Sequence, residues 1–267
     1  MNVASPGAPC GLKALLWLTA LAIASAAARA DTPAAPPPPH WSYSGDTGPP
    51  HWASEDPTYA ACGSGPAQSP IDIQNATRKD LPPIQFAYQP IPLEVTDTGH
   101  TMQVNVPKGS GGITVGADHY DLTQFHFHRP SEERIRGQRY SMVAHLVHMN
   151  ASGEIAVVAV LIQANRSNGA NALLKQVFDN FPPSGQTKNA VAGATLDLTG
   201  LLPQRQGYYA FEGSLTTPPC TGHVHWFVLK TPVQAASGQI AQFAVRYDNN
   251  VRPTQPLNGR QLLQTTN

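Results

Sequence analysis

The run Gln124-Phe125-His126-Phe127-His128 alternates polar and aromatic side chains without interruption. A period of two is the signature of a β-strand, whose successive side chains point to opposite faces. His126 and His128 therefore share one face, roughly 7 Å apart at the backbone by strand rise. Phe125 and Phe127 point to the other face, into apolar packing. Imidazoles on one side and phenyl rings on the other suit a metal site built on a sheet.

Much of the remaining chain reads the same way. Gln103-Val104-Asn105-Val106 and Val224-His225-Trp226-Phe227-Val228-Leu229 are short runs rich in β-branched and aromatic residues, bounded by turn formers. Ala156 to Gln163 is almost wholly apolar and predicts a strand buried on both faces. Helical spacing is confined to Asn171 to Phe181, which stops at Pro182-Pro183, and to a short stretch near Gly238 to Phe243. No internal repeat and no Pro/Gly/Ser linker divides the body. The expectation is one domain, mainly β with minor helices.

The N-terminal segment stands apart. Lys13 precedes the apolar run Ala14 to Ile23, and small residues lead to Ala28-Arg29-Ala30. A charged start, a short apolar core and an A-x-A site predict a signal peptide over 1–30. The apolar core is too short to span a bilayer comfortably, and no later segment is apolar enough to cross one. The stretch 31–39, ending in TPAAPPPP, predicts a stiff extended tether. The folded body then covers 40–267. Lys plus Arg and Asp plus Glu number 17 each, so the balanced charge argues against nucleic acid or an anionic membrane as partner. Of three cysteines, Cys10 leaves with the signal. Cys62 and Cys220 remain, and an oxidising compartment predicts a disulfide, two buried thiols being the alternative.

A second histidine pair lies in Ala144-His145-Leu146-Val147-His148. Three apart on a strand, these two face opposite ways, so only one can join His126 and His128. Turn residues around Gly137 predict a hairpin that brings the two strands side by side. Three neutral imidazoles with a fourth position open form a catalytic zinc pattern. Hydrogen-bonded core histidines are the competing reading.

QFHFH, PSE, AHLVH and GSLTTPPC, in that order, closely resemble the α-carbonic anhydrases, above all their secreted bacterial members. His40-Trp41-Ser42-Tyr43, Gly48-Pro49-Pro50-His51-Trp52, Gln68-Ser69-Pro70-Ile71-Asp72-Ile73 and the string Arg252 to Arg260 extend the resemblance over about 40–260. It implies a large, central, mostly antiparallel twisted β-sheet and reversible hydration of carbon dioxide to bicarbonate. It assigns Zn(2+) to His126, His128 and His145, leaving His148 as a packed structural histidine. Thr216 would orient the attacking oxygen and pass its own proton toward Glu132. His100 would be the proton shuttle, its ordinary pKa near 6.5 suiting that task. Val147, Val157, Leu215, Thr216, Thr217, Val224 and Trp226 would line the substrate pocket, with Tyr43 and Gln68 at polar positions nearby.

The sequence departs from the family at three positions around the ligands. The position two before the third ligand, usually glutamate, is Val143; the residue after Glu132, commonly histidine, is Glu133; and a usual tyrosine is Phe211. Valine cannot accept the hydrogen bond from the ligand ring. Glu133 is expected to supply that carboxylate to His145, while Gln124 holds His126 and a main-chain carbonyl near Asn250 holds His128. The resemblance also implies sulfonamide and anion inhibitors, a periplasmic or secreted location, and a monomer or homodimer. Two other functions are weighed: a zinc-free binding protein of the same fold, which would usually lack a ligand histidine, and a zinc hydrolase acting on esters.

Overall fold

Strand formation follows the alternating runs, and among the described residues thirteen strands join in one twisted sheet. The computed structural model describes residues 40–165 and 169–267. The predicted signal peptide and tether lie outside the described residues. Across the sheet the order is Lys188–Leu196, Ile91–Asp97, Met102–Asn105, Asp118–His128, Met142–Met149, Ile155–Asn165, Val224–Leu229, Tyr208–Gly213, Leu263–Gln264 and Thr77–Arg78. Ile84–Tyr88 and Gly111–Val115 pair with each other, and the latter also flanks Asp118–His128.

Most neighbours are antiparallel, but the sheet is mixed. Ile155–Asn165 runs parallel to Val224–Leu229 and to Val233–Ala236. Parallel pairing needs a long crossover. That crossover here carries the helix Ala172–Phe178 and two further strands, Lys188–Leu196 and Tyr208–Gly213.

Alternation sorts the side chains into two apolar layers. Phe125, Phe127, Met142, Ala144, Leu146, Val158 and Val160 enter one layer, closed by Leu174, Val177, Phe178, Ile240 and Phe243 of the helices Ala172–Phe178 and Ser237–Ala244. Val143, Val157, Ala159, Leu161, Phe211 and Trp226 enter the other. Ile155–Asn165 contributes to both, as its unbroken apolar run predicts. The first helix is capped by Asn171, whose side chain accepts from the Leu174 N–H. It ends at Phe178, three residues short of the predicted Phe181, which precedes proline and is disfavoured in the helical region.

The strands Asp118–His128 and Met142–Met149 are antiparallel neighbours. Between them the chain makes a short parallel pair, Arg134–Ile135 with Asp72–Ile73, and turns at Gly137, whose φ of 79° is readily adopted only without a side chain. A disulfide joins Cys62 to Cys220 across 158 residues of sequence. It fastens the short helix Ala61–Ser64 to the loop that carries Thr216 and Thr217.

Candidate metal centre

Register brings the histidines together. His126 lies directly across from His145 in the antiparallel pair, and His128 lies across from Val143. All three imidazoles rise from one face, and one ring nitrogen of each lies within 4.8 Å of the others. His128 and His145 are buried and His126 is half-buried.

The opposite ring nitrogens are engaged. Nδ1 of His126 meets Oε1 of Gln124 at 2.8 Å, and Nδ1 of His128 meets the main-chain oxygen of Asn250 at 2.7 Å. Nε2 of His145 meets Oε1 of Glu133 at 3.0 Å. Each ring thus donates its N–H outward and turns its other nitrogen, a lone pair, toward the centre. Nε2 of His128 is fully buried with no hydrogen-bond partner among the described residues. An orphaned buried nitrogen is costly unless something accepts its lone pair. Three such imidazoles fit a zinc ion with an open fourth position.

Electrostatics favour a neutral ring at His126 and His128. Burial pushes the imidazole of His126 down to about 3, aided by His145, and lowers His128 for the same reasons. His145 moves the other way: burial alone would lower it, but the carboxylate of Glu133 and then Glu132 outweigh that and raise it. Glu133 is fully buried, as is Val143, which belongs to the apolar layer beside Phe211 and Trp226. The carboxylate therefore reaches His145 from the loop after His128, where a valine occupies the ligand's own strand.

Glu132 also faces the cluster, with its Oε2 3.9 Å from Nδ1 of His145. Its Oε1 accepts from the main-chain N–H of Arg252 at 2.7 Å, and its Oε2 lies 3.4 Å from Nε2 of His128. Burial lifts its carboxyl to about 7, while His145, the Thr216 hydroxyl and the Arg252 N–H pull it back. The Arg252 guanidinium is buried and bonds to Oε1 of Gln68 and the carbonyls of Ser69 and Cys62. Gln68 also donates to the Cys220 carbonyl, so it braces the loop.

A small cavity of about 110 Å³ opens on the cluster. It is lined by Gln124, His126, His145, Val147, Val157, Leu215, Thr216, Thr217 and Trp226. Val224 is buried in the same apolar layer without lining it. A larger cavity of about 860 Å³, bordered by Arg205, Tyr208, Lys230 and Asn267, shares no residue with the histidine cluster. Size therefore does not mark the site; convergent imidazoles do.

His100 sits in the turn before Met102–Asn105. Its ring stacks on Trp41 with centroids 3.6 Å apart and planes 7° from parallel, near Tyr43 and His40. Burial, then His40, lowers its pKa. His148 faces away from the cluster: Nδ1 meets the Ala156 carbonyl at 3.3 Å and Nε2 the Tyr88 hydroxyl at 2.9 Å. The sequence reading gave no role to Arg252, to Trp41 or to the Asn250 side chain. Arg252 and Trp41 stood inside family-like strings, which was the available signal. Nothing local marked the Asn250 amide.

Three imidazoles on a mixed β-sheet, each with its outer nitrogen held and its inner one free, define a candidate three-histidine metal centre. Residues 47–266 match the family model for the eukaryotic-type carbonic anhydrase. A carbonic anhydrase of Neisseria gonorrhoeae is 40% identical over 228 residues, spanning 84% of this chain and 88% of its own. The α-carbonic anhydrase from Thermovibrio ammonificans, solved with the inhibitor sulfanilamide, aligns with a TM-score of 0.79 at 39% identity, covering 84% of this chain and 99% of that one. A hyperthermostable carbonic anhydrase from a hydrothermal vent chimney aligns with a TM-score of 0.80 at 35% identity, covering 85% of this chain and all of its own. The chain belongs to the α-carbonic anhydrase family.

Proposed function

We propose that this chain is a zinc-dependent carbonic anhydrase that interconverts carbon dioxide and bicarbonate. The observation that carries the proposal is the convergence of three nitrogens, from His126, His128 and His145, beside a small apolar-walled cavity. Zinc, when bound, supplies Lewis acidity that makes water ionise near neutral pH, a property for which carbonic anhydrases are themselves the reference example.

The other residues handle orientation, exclusion and the proton. An ionised Glu132 can only accept, so the Thr216 hydroxyl must donate to it. The Thr216 oxygen then keeps its lone pairs for the attacking oxygen and aims that oxygen at the substrate carbon. Carbon dioxide carries no charge and no dipole, so Val147, Val157, Leu215 and Trp226 admit it by apolar contact, with Val224 packed in the same layer and Thr217 at the rim. Gln124, Glu133 and the Asn250 carbonyl hold the three rings in a fixed tautomer and orientation. His100 takes the proton released in each cycle at a ring nitrogen and yields it to buffer.

The signal-peptide reading of 1–30 places the mature enzyme in the periplasm or outside the cell, a setting consistent with the Cys62–Cys220 disulfide. Sulfonamides and small anions would compete at the centre, and the protein would act as a monomer or homodimer.

The test is stopped-flow hydration of carbon dioxide by zinc-loaded protein, with and without a sulfonamide, beside metal analysis. Zinc near one per chain and sulfonamide-sensitive hydration are expected. Zinc-free protein without hydration would instead mark a binding protein, and ester hydrolysis far exceeding hydration would mark an esterase.

A further inference from the structure

Asn250 is buried, and both ends of its side-chain amide are engaged. Its Nδ2 donates to the main-chain oxygens of His100 at 3.1 Å and Phe127 at 3.0 Å. Its Oδ1 accepts from the Arg129 N–H at 2.9 Å. Its own main-chain oxygen meets Nδ1 of His128. One residue thus touches the turn that carries His100 and both sides of the ligand His128.

The turn is gripped at its other end by the same segment. Oδ1 of Asp97 accepts from the Gly99 N–H at 2.9 Å and from the Tyr247 hydroxyl, while Arg246 lies 3.4 Å from Oδ2 of Asp97. Within the turn, Oγ1 of Thr98 accepts from the N–H groups of His100 and Thr101, and Gly99 takes a φ of 82°. Oγ1 of Thr101 donates to the Phe127 carbonyl. The turn is therefore internally rigid, and its placement against the ligand strand depends on the contacts from Asn250, Thr101, Arg246 and Tyr247.

We propose that the Asn250 side chain is a positioning residue for proton transfer, holding the His100 turn at a fixed distance from the strand of His126 and His128. The inference rests on the reading of His100 as proton shuttle. An amide is the right group because it donates to two carbonyls from one end and accepts an N–H at the other. Aspartate would present only acceptors to the carbonyls of His100 and Phe127, and alanine would present nothing. The bond to His128 comes from the main chain and survives either change, so retention of zinc and placement of His100 can be separated.

The experiment compares Asn250→Ala and Asn250→Asp with the parent and with His100→Ala, all zinc-loaded, in weak and in imidazole buffer. The parameter kcat/KM covers steps through hydration, whereas kcat also includes regeneration by proton loss. A displaced shuttle should lower kcat in weak buffer by at least about tenfold, since misplacement by 1 Å can cost on the order of a hundredfold. Imidazole should restore most of that loss, kcat/KM should fall far less, and zinc should stay near one per chain. Parallel falls in kcat and kcat/KM, loss of zinc, or no effect in weak buffer would each overturn the proposal. Should the alanine variant not fold, the aspartate variant, which keeps the acceptor for Arg129, carries the test alone. If His100→Ala has no weak-buffer defect, the shuttle reading fails and this proposal with it. If that defect is present and the Asn250 variants lack it, the positioning role alone fails.

Discussion

Replacing Glu133 by alanine removes the carboxylate that meets Nε2 of His145 at 3.0 Å. Among the described residues no other side chain hydrogen-bonds that nitrogen, and Val143, two residues before the ligand on its own strand, is fully buried and cannot accept. His145 would keep its place in the sheet but lose the contact that fixes its tautomer and the direction of Nδ1. Losing such an outer partner typically costs 10–100-fold in metal affinity, or about 1.4–2.7 kcal/mol. Glu133→Gln retains an acceptor oxygen and loses only the charge, so it should fall at the lower end of that range and alanine at the upper. Competition for zinc with a chromophoric chelator measures the affinity directly, independent of turnover. Adding Val143→Glu to the alanine variant should recover part of the loss, since positions 143 and 145 share a strand face. Zinc affinity of Glu133→Ala within about twofold of the parent, in protein with an unchanged unfolding transition, would refute the reasoning from an outer partner.

Thr216→Ala should lower kcat/KM for hydration by about 10²–10³ with zinc content intact, because it removes one preorganised hydrogen-bonding group beside the reacting atoms. Stopped-flow kinetics on metal-quantified protein checks this. His148 is held neutral by burial, its pKa depressed from 6.5 to about 3. The unfolded chain then binds the extra proton between those values, so its contribution is fully present above pH 6.5 and is lost as pH falls toward 3, on the order of 4–5 kcal/mol. Urea unfolding of metal-free protein across that window should show a shallower pH slope in His148→Gln than in the parent. Breaking the disulfide through Cys62→Ser with Cys220→Ser should cost about 2–5 kcal/mol of stability, read by the same urea titration.

How much could be read from the sequence depends on how local the cause is. The strand of His126 and His128 was legible because alternation is a local property, and Phe125 and Phe127 enter the opposite layer as that alternation demands. Alternation left His145 and His148 as equal candidates; resemblance chose between them, and the register opposite His126 gives the geometric reason. The helix after Asn171 was legible from its spacing, but it ends at Phe178, three residues before the spacing does. Long-range partners were the least legible. The Glu132 contact to the Arg252 N–H and the Asn250 contact to Phe127 join residues more than a hundred positions apart. Periodicity carries no information about such pairs. The parallel pairing of Ile155–Asn165 with Val224–Leu229 was missed for the same reason.

Arg252 binds the carbonyls of Cys62 and Ser69 and the side chain of Gln68, and its N–H binds Glu132. Three stretches of chain, around residues 62–69, 132 and 252, meet at this one residue, the first through its guanidinium and the second through its main-chain N–H. A ribosome that has released the three histidines has still not supplied the residue that anchors Glu132 and the base of the Thr216 loop. The central antiparallel strands pair residues close in sequence, whereas the base of the pocket depends on this distant residue. The working geometry of the pocket is therefore complete only in a chain that includes residue 252.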